Sequence, residues 1–178
     1  MPATKPRAAG KQLSALDLLK ADHAAVKKLF KQFAAMKKRG EDDGKEQVVQ
    51  NACKALQIHA QIEEEIFYPA LREAADAKDP LDEAEVEHGH VKELVADLQN
   101  ASPSDELCDA KMKVLSEYVE HHVQEEESTL FSKARKADVD LAALGEQMAA
   151  RKAELGADDA SARRSTGGRQ GNAARAQR

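Results

Sequence analysis

Apolar residues recur at alternating steps of three and four in four stretches of the chain. The first runs Leu16, Leu19, His23, Val26, Phe30, Phe33, and the second Val49, Ala52, Leu56, His59, Glu63, Ile66. The third runs Leu81, Ala84, His88, Val91, Val95, Leu98. The fourth takes Cys108, then Lys111 or Met112, Leu115, Val119, His122, Glu126, and Thr129 or Leu130. Such steps keep side chains on one helix face, and a stripe this narrow faces the interior of a near-parallel bundle. Four helices joined by short turns predict an all-α fold, an up-down-up-down four-helix bundle.

Punctuation along the chain sets the boundaries. Residues 1–12 mix Pro, Gly and basic residues and read as a flexible arm. Ser14 with Asp17 has the spacing of a capping box and opens a helix that ends at Arg39-Gly40. After a polar turn the second helix covers about 45–76, with a kink or loosened turn expected at Pro69. Asp79-Pro80 is read as a cap plus first-turn proline for a helix ending near Asn100. Ser102-Pro103 repeats the signal for a fourth helix to Lys136, so the bundle occupies 13–136. Asp138 is read as the cap of a short fifth helix within 137–155. From 156 to 178 the chain is Ala, Gly, Ser and Arg with hardly an apolar side chain, and reads as a disordered basic tail.

Composition narrows the function classes. At 178 residues the chain suits one domain with a sizeable core. A formal net charge of −5 gives no support to nucleic-acid binding by the chain as a whole. No apolar run approaches the ~18 residues of a membrane span, and the N-terminus lacks the apolar core of a secretory signal. A cytoplasmic protein with no membrane partner is expected. Cys53 and Cys108 lack CxxC spacing and read as core thiols.

Each of the four seams carries a histidine, and two also carry a glutamate. An ionisable group inside an apolar stripe costs several kcal/mol unless something pairs with it. Neither the second nor the fourth seam offers Lys or Arg to the carboxylates, so a metal cation is the simplest partner. His59 and Glu63 are four apart, as are His122 and Glu126, which places each pair on one helix face. Mixed imidazole and carboxylate donors without thiolates suit iron or manganese rather than a structural zinc.

The arrangement is duplicated. Residues 21–29 (ADHAAVKKL) align without gaps to 86–94 (VEHGHVKEL), and His59 to Glu63 aligns with His122 to Glu126. A lone His followed by His-x-x-x-Glu therefore occurs twice, which predicts a pseudo-symmetric two-metal site.

These segments, IHAQIEEEIFYPAL and EHHVQEEESTLF above all, resemble the hemerythrin-like (HHE cation-binding) family over about residues 13–136. The resemblance implies a four-helix bundle with two non-haem iron ions at His23, His59, Glu63, His88, His122 and Glu126. It also implies that Glu63 and Glu126 bridge the irons, and that the ligand is dioxygen or another small diatomic molecule or peroxide. The oxygen carriers of the family have a second histidine four residues from the one in the third helix. Here Ala84 and Lys92 stand at that spacing from His88, so one coordination position is open or filled otherwise, with Glu85 as one candidate. His90, two residues from His88, points to another side of the helix. His121 and Glu125 share the four-residue spacing of His122 and Glu126, but the seam through Leu115 and Val119 favours His122.

The expected function is a di-iron protein that binds or senses dioxygen or iron, rather than an enzyme. The alternative is a di-iron enzyme acting on peroxide or nitric oxide. A metal-free interaction bundle would leave two interior carboxylates without a role. The oligomeric state is not legible in the sequence.

Overall fold

The computed structural model describes residues 13–101 and 105–173, with side chains described as far as residue 157. The arm 1–12 and the Ser102-Pro103 signal lie outside the described residues.

Helix α1 (Ala15–Arg39) opens on the predicted box: the Ser14 side chain accepts from the Asp17 N–H, and Asp17 reaches back. It stops at Gly40, whose φ of 68° is the left-handed conformation that glycine adopts without steric cost. The second bundle helix has three parts: α2 (Lys45–Ile62), a π-helical turn π1 (Glu63–Phe67), and α3 (Tyr68–Ala74). Next comes α4 (Lys78–Asn100). The fourth helix repeats the construction with α5 (Cys108–Glu125), π2 (Glu126–Leu130) and α6 (Phe131–Lys136). Helix α1 packs on α2 and α5, and α4 on the same two, which closes the ring of the bundle.

Several details differ from the sequence reading. Helix α4 begins at Lys78, so Asp79 and Pro80 lie inside its first turn and do not cap it. The residue capping α7 (Leu141–Ala173) is Asp140 rather than Asp138: its carboxylate accepts from the Ala142 and Ala143 N–H groups at 3.1 and 3.0 Å. The backbone of α7 also continues past residue 155 to Ala173.

The loosened turn expected at Pro69 is the π-turn before it, and an identical turn precedes Ser132, where there is no proline. In each, an N–H reaches back five residues, Tyr68 to Glu63 and Phe131 to Glu126. The extra residue rotates the stripe. Phe67, Tyr68 and Leu71 are buried after Glu63, while Ile66 is half-buried; Leu130 and Phe131 are buried after Glu126, and Thr129 is exposed. Met112, rather than Lys111, is the buried residue of its turn.

Helix α7 lies against α1, α2 and π1. A methyl on its Gly145 would overlap the Leu13 carbonyl oxygen and the Ser14–Ala15 peptide, so glycine permits this close approach. Cys53 and Cys108 are free and buried, and burial pushes the Cys53 thiol up to about 11. No helix among the described residues is long and apolar enough to cross a membrane.

Candidate metal centre

The apolar core is divided into two clusters, one around Leu19, Phe67, Phe131 and Met148, the other around Val26, Val49, Leu56 and Leu115. Between them lies a polar layer. His23, His59, Glu63, His88, His122 and Glu126 are the buried polar or charged residues among those described, none more than 5% exposed.

Their inward atoms form two overlapping groups. In the first, His23 Nε2 lies 3.2 Å from His59 Nε2 and 3.2 Å from Glu126 Oε2, and His59 Nε2 is 3.3 Å from Glu63 Oε2. In the second, His88 Nε2 lies 3.2 Å from His122 Nε2 and 3.4 Å from Glu63 Oε2. Glu63 belongs to both groups, while Glu126 is grouped with the first. Both Glu63 oxygens and both Glu126 oxygens are buried with no hydrogen-bond partner. Two carboxylates cannot stay ionised there without a cation or a proton.

The metal-free electrostatics follow. Burial, reinforced by the neighbouring Glu126 charge, pushes Glu63 well above the ordinary carboxylate range. Burial is the largest influence on Glu126 and raises it, but His23, Glu63 and His59 together hold the carboxyl below its ordinary value. Desolvation lowers His23, yet Glu126 and Glu127 carry its net shift upward. Desolvation lowers His59 to about 4 and also lowers His88. Without metal, burial therefore favours the un-ionised form of Glu63 and the neutral forms of His59 and His88.

Behind each histidine stands an acidic side chain. Nδ1 of His23, His88 and His122 lies 2.9, 2.9 and 2.8 Å from Glu127, Glu64 and Glu87 respectively, and Nδ1 of His59 is 3.7 Å from Asp22. At His23, His88 and His122 the carboxylate accepts from Nδ1, which fixes the proton there and leaves the Nε2 lone pair free to face a metal; at His59 the contact is too long for a hydrogen bond. Hydrogen bonding to His88 brings Glu64 down to about 2, and Glu87 is lowered by His122. The sequence reading gave none of these four residues a role.

The remaining candidates fall elsewhere. Glu85 is exposed and bonded to Arg72 at 2.8 Å, and so does not fill the open position. The Tyr68 hydroxyl does face the second group, 3.4 Å from His88 Nε2. His90 is exposed on the outer face beside Tyr118. His121, 63% exposed at its side chain, lies outside the layer that holds His122.

The family described as hemerythrin HHE cation binding domain matches residues 14–134. The fold is similar to the crystal structure of a hemerythrin HHE cation binding domain-containing protein from Mycobacterium kansasii. Their TM-score is 0.64 at 24% identity, over 80% of this chain and 86% of that one. A Nostoc sp. protein named DNA nickase is 31% identical over 120 residues, which are 67% of this chain and 33% of that protein. The chain therefore spans about a third of that relative's length.

Proposed function

From the premise that the chain belongs to the hemerythrin HHE cation binding domain family, we propose that it holds two non-haem iron ions and binds a small ligand such as dioxygen. The observation that carries this reading is the pair Glu63 and Glu126: buried, without donors to any of their four oxygens, and surrounded by four inward imidazole nitrogens. His23 and His59 would hold one ion and His88 and His122 the other, with Glu63 shared between them. Imidazole and carboxylate donors without thiolate suit iron. When bound, such an iron pair supplies reversible electron transfer to a small ligand.

The chain's own residues define what reaches that pair. A cavity of about 20 Å³, walled by the four histidines and by Val26, Leu56, Val91, Val119 and Val123, has room for about one water-sized molecule. Anaerobic titration of stripped protein with Fe(II), followed by elemental analysis, should reach two irons per chain. A firm value of one or none overturns the paired site.

Turnover of peroxide or nitric oxide is the second reading, and it draws on the second half-site. That group holds three His and Glu donors against four in the first, and it has the Tyr68 hydroxyl at hand to give or take a proton. Peroxide consumption by the loaded protein, and its loss in Tyr68→Phe with iron content unchanged, would favour this reading over simple binding.

A further inference from the structure

The two half-sites differ in what covers them. Over the first, α7 packs on α1, α2 and π1; Lys152 pairs with Asp22, and Arg151 pairs with Glu65 at 2.6 Å. Over the second, between α4 and π2, a cavity of about 230 Å³ opens instead. Glu83, Glu87 and Glu125 line it, and His122 and Glu126 line it too. Glu126 is 1% exposed, and neither of its oxygens has a hydrogen-bond partner. The cavity thus joins a carboxylate-lined mouth to an unpartnered buried carboxylate.

Beside the cleft, in an adjoining groove of about 400 Å³ that shares Glu87 with it and is lined by His121, stands a second donor set. His121 Nδ1 lies 3.0 Å from Glu87 Oε1 and His121 Nε2 3.6 Å from Glu125 Oε1, with one donor atom from each residue within 4.8 Å of the others. The other Glu87 oxygen is 2.8 Å from His122 Nδ1, so one carboxylate spans from the outer set to a histidine of the centre. The larger groove near Glu64, about 580 Å³, is lined by Lys54 and Lys92 and by none of the six inner residues.

We propose that this acidic cleft is the port through which divalent transition-metal cations reach the centre, with His121, Glu125 and Glu87 as a transient cation site beside it. The inference rests on the two-metal reading above. Carboxylates around a cleft with low-dielectric walls concentrate cations and raise their on-rates by roughly 10–10³, an effect that salt screens. A histidine with two carboxylates gives an arriving ion partial replacement for its water shell without the closed geometry that would retain it. The same field works against anions.

The test follows Co(II) uptake by the stripped full chain in stopped flow at low ionic strength. It compares wild type, Glu83→Gln/Glu125→Gln, His121→Ala, and a distal double variant of equal charge, Glu46→Gln/Glu146→Gln. Uptake should slow about tenfold in the cleft double variant and several-fold in His121→Ala, with two ions still bound at the end. The distal variant should load like wild type. Azide association with the loaded protein should quicken in the cleft double variant, the opposite sign to cation uptake. Equal slowing in the distal variant, unchanged rates in the cleft variants, or a lowered end point in them would each overturn the port. A wild type that never reaches two ions overturns the centre itself, and the port with it.

Discussion

Replacing Glu63 with glutamine should stabilise the metal-free protein and remove much of the stabilisation that metal gives. Glu63 is fully buried, and its pKa is raised above an ordinary 4.5 by burial and then by Glu126. A carboxyl raised by folding contributes stability below its unfolded pKa and loses it as pH rises toward the folded value. Holding a proton on it at pH 7 costs 1.36 kcal/mol for each unit above 4.5, so up to about 3 kcal/mol. Glutamine has the shape of the protonated acid, carries no such cost, and its amide can donate to Glu126. The metal-free variant should therefore melt about 5–10 °C higher than metal-free wild type, at about 2–4 °C per kcal/mol for a chain of this size. The gap should shrink as pH approaches 4.5. Metal acts in the opposite direction: each site filled at 100 times its Kd adds about 2.7 kcal/mol to wild type, and the loss of the shared carboxylate weakens both sites. Circular dichroism melts at pH 7, with chelator and then with anaerobic Fe(II), read both effects. Had Glu63 a structural role in the bare bundle, its replacement would cost about 3–5 kcal/mol, as breaking a buried pair does. A chelated variant that melts below chelated wild type would refute the reasoning.

Three further outcomes are expected. His122→Ala should lose about one iron per chain by elemental analysis while His121→Ala retains both at equilibrium, since only His122 lies in the buried layer; the reverse result would move the site to His121 and Glu125. In a metal-free Glu63→Gln background, urea unfolding should show stability falling by roughly 2–3 kcal/mol between about pH 6.5 and 4, because burial lowers His59 to about 4 and lowers His88 too; a depressed histidine stabilises above its unfolded pKa and loses this as pH falls, so a flat profile would contradict its desolvation. Gly145→Ala should cost about 1–3 kcal/mol, since its methyl meets the backbone of residues 13–15, and should expose Lys152 and Arg151 to faster proteolysis; wild-type stability would show that α7 can move without loss.

The seams were legible because each is a periodic signal repeated over five or more turns, and its interruptions by His and Glu were visible against the apolar background. The choice of His122 over His121 followed from Leu115 and Val119, which fix the phase of α5. The acidic residues behind the histidines were not legible in the same way. Glu64 and Glu127 each follow a buried glutamate by one residue, about 100° around their own helix, so a single-helix reading assigns them to solvent. They meet histidines of the opposite repeat, 24 and 104 residues away. The duplication held the signal, since Asp22 precedes His23 as Glu87 precedes His88. The π-turns were hidden for another reason. Pro69 marks one, but its partner before Ser132 carries no such mark; together they leave an aromatic pair, Phe67 and Phe131, inward at ring centroids 6.0 Å apart.

Duplication explains how the centre is assembled, and departures from it explain why its two halves are unequal. Tyr68 and Phe131 occupy equivalent places, five residues after Glu63 and Glu126, and each lies by the lone histidine of the other repeat, at centroid distances of 5.6 Å from His88 and 6.1 Å from His23. Only one carries a hydroxyl, and it faces the half with fewer His and Glu donors. Asp22 and Glu87 are likewise equivalent, but Asp22 is tied to Lys152 of α7 while Glu87 is shared with the exposed His121. Both departures fall on the same side. The first half-site has four donors and lies under α7, with its Glu126 at the inner end of the cleft; the second has three donors, a phenol beside it and His122 on the same cleft. On the two-metal reading proposed above, exchange of ions and ligands would run through the cleft side of the centre, while α7 would shield the opposite side.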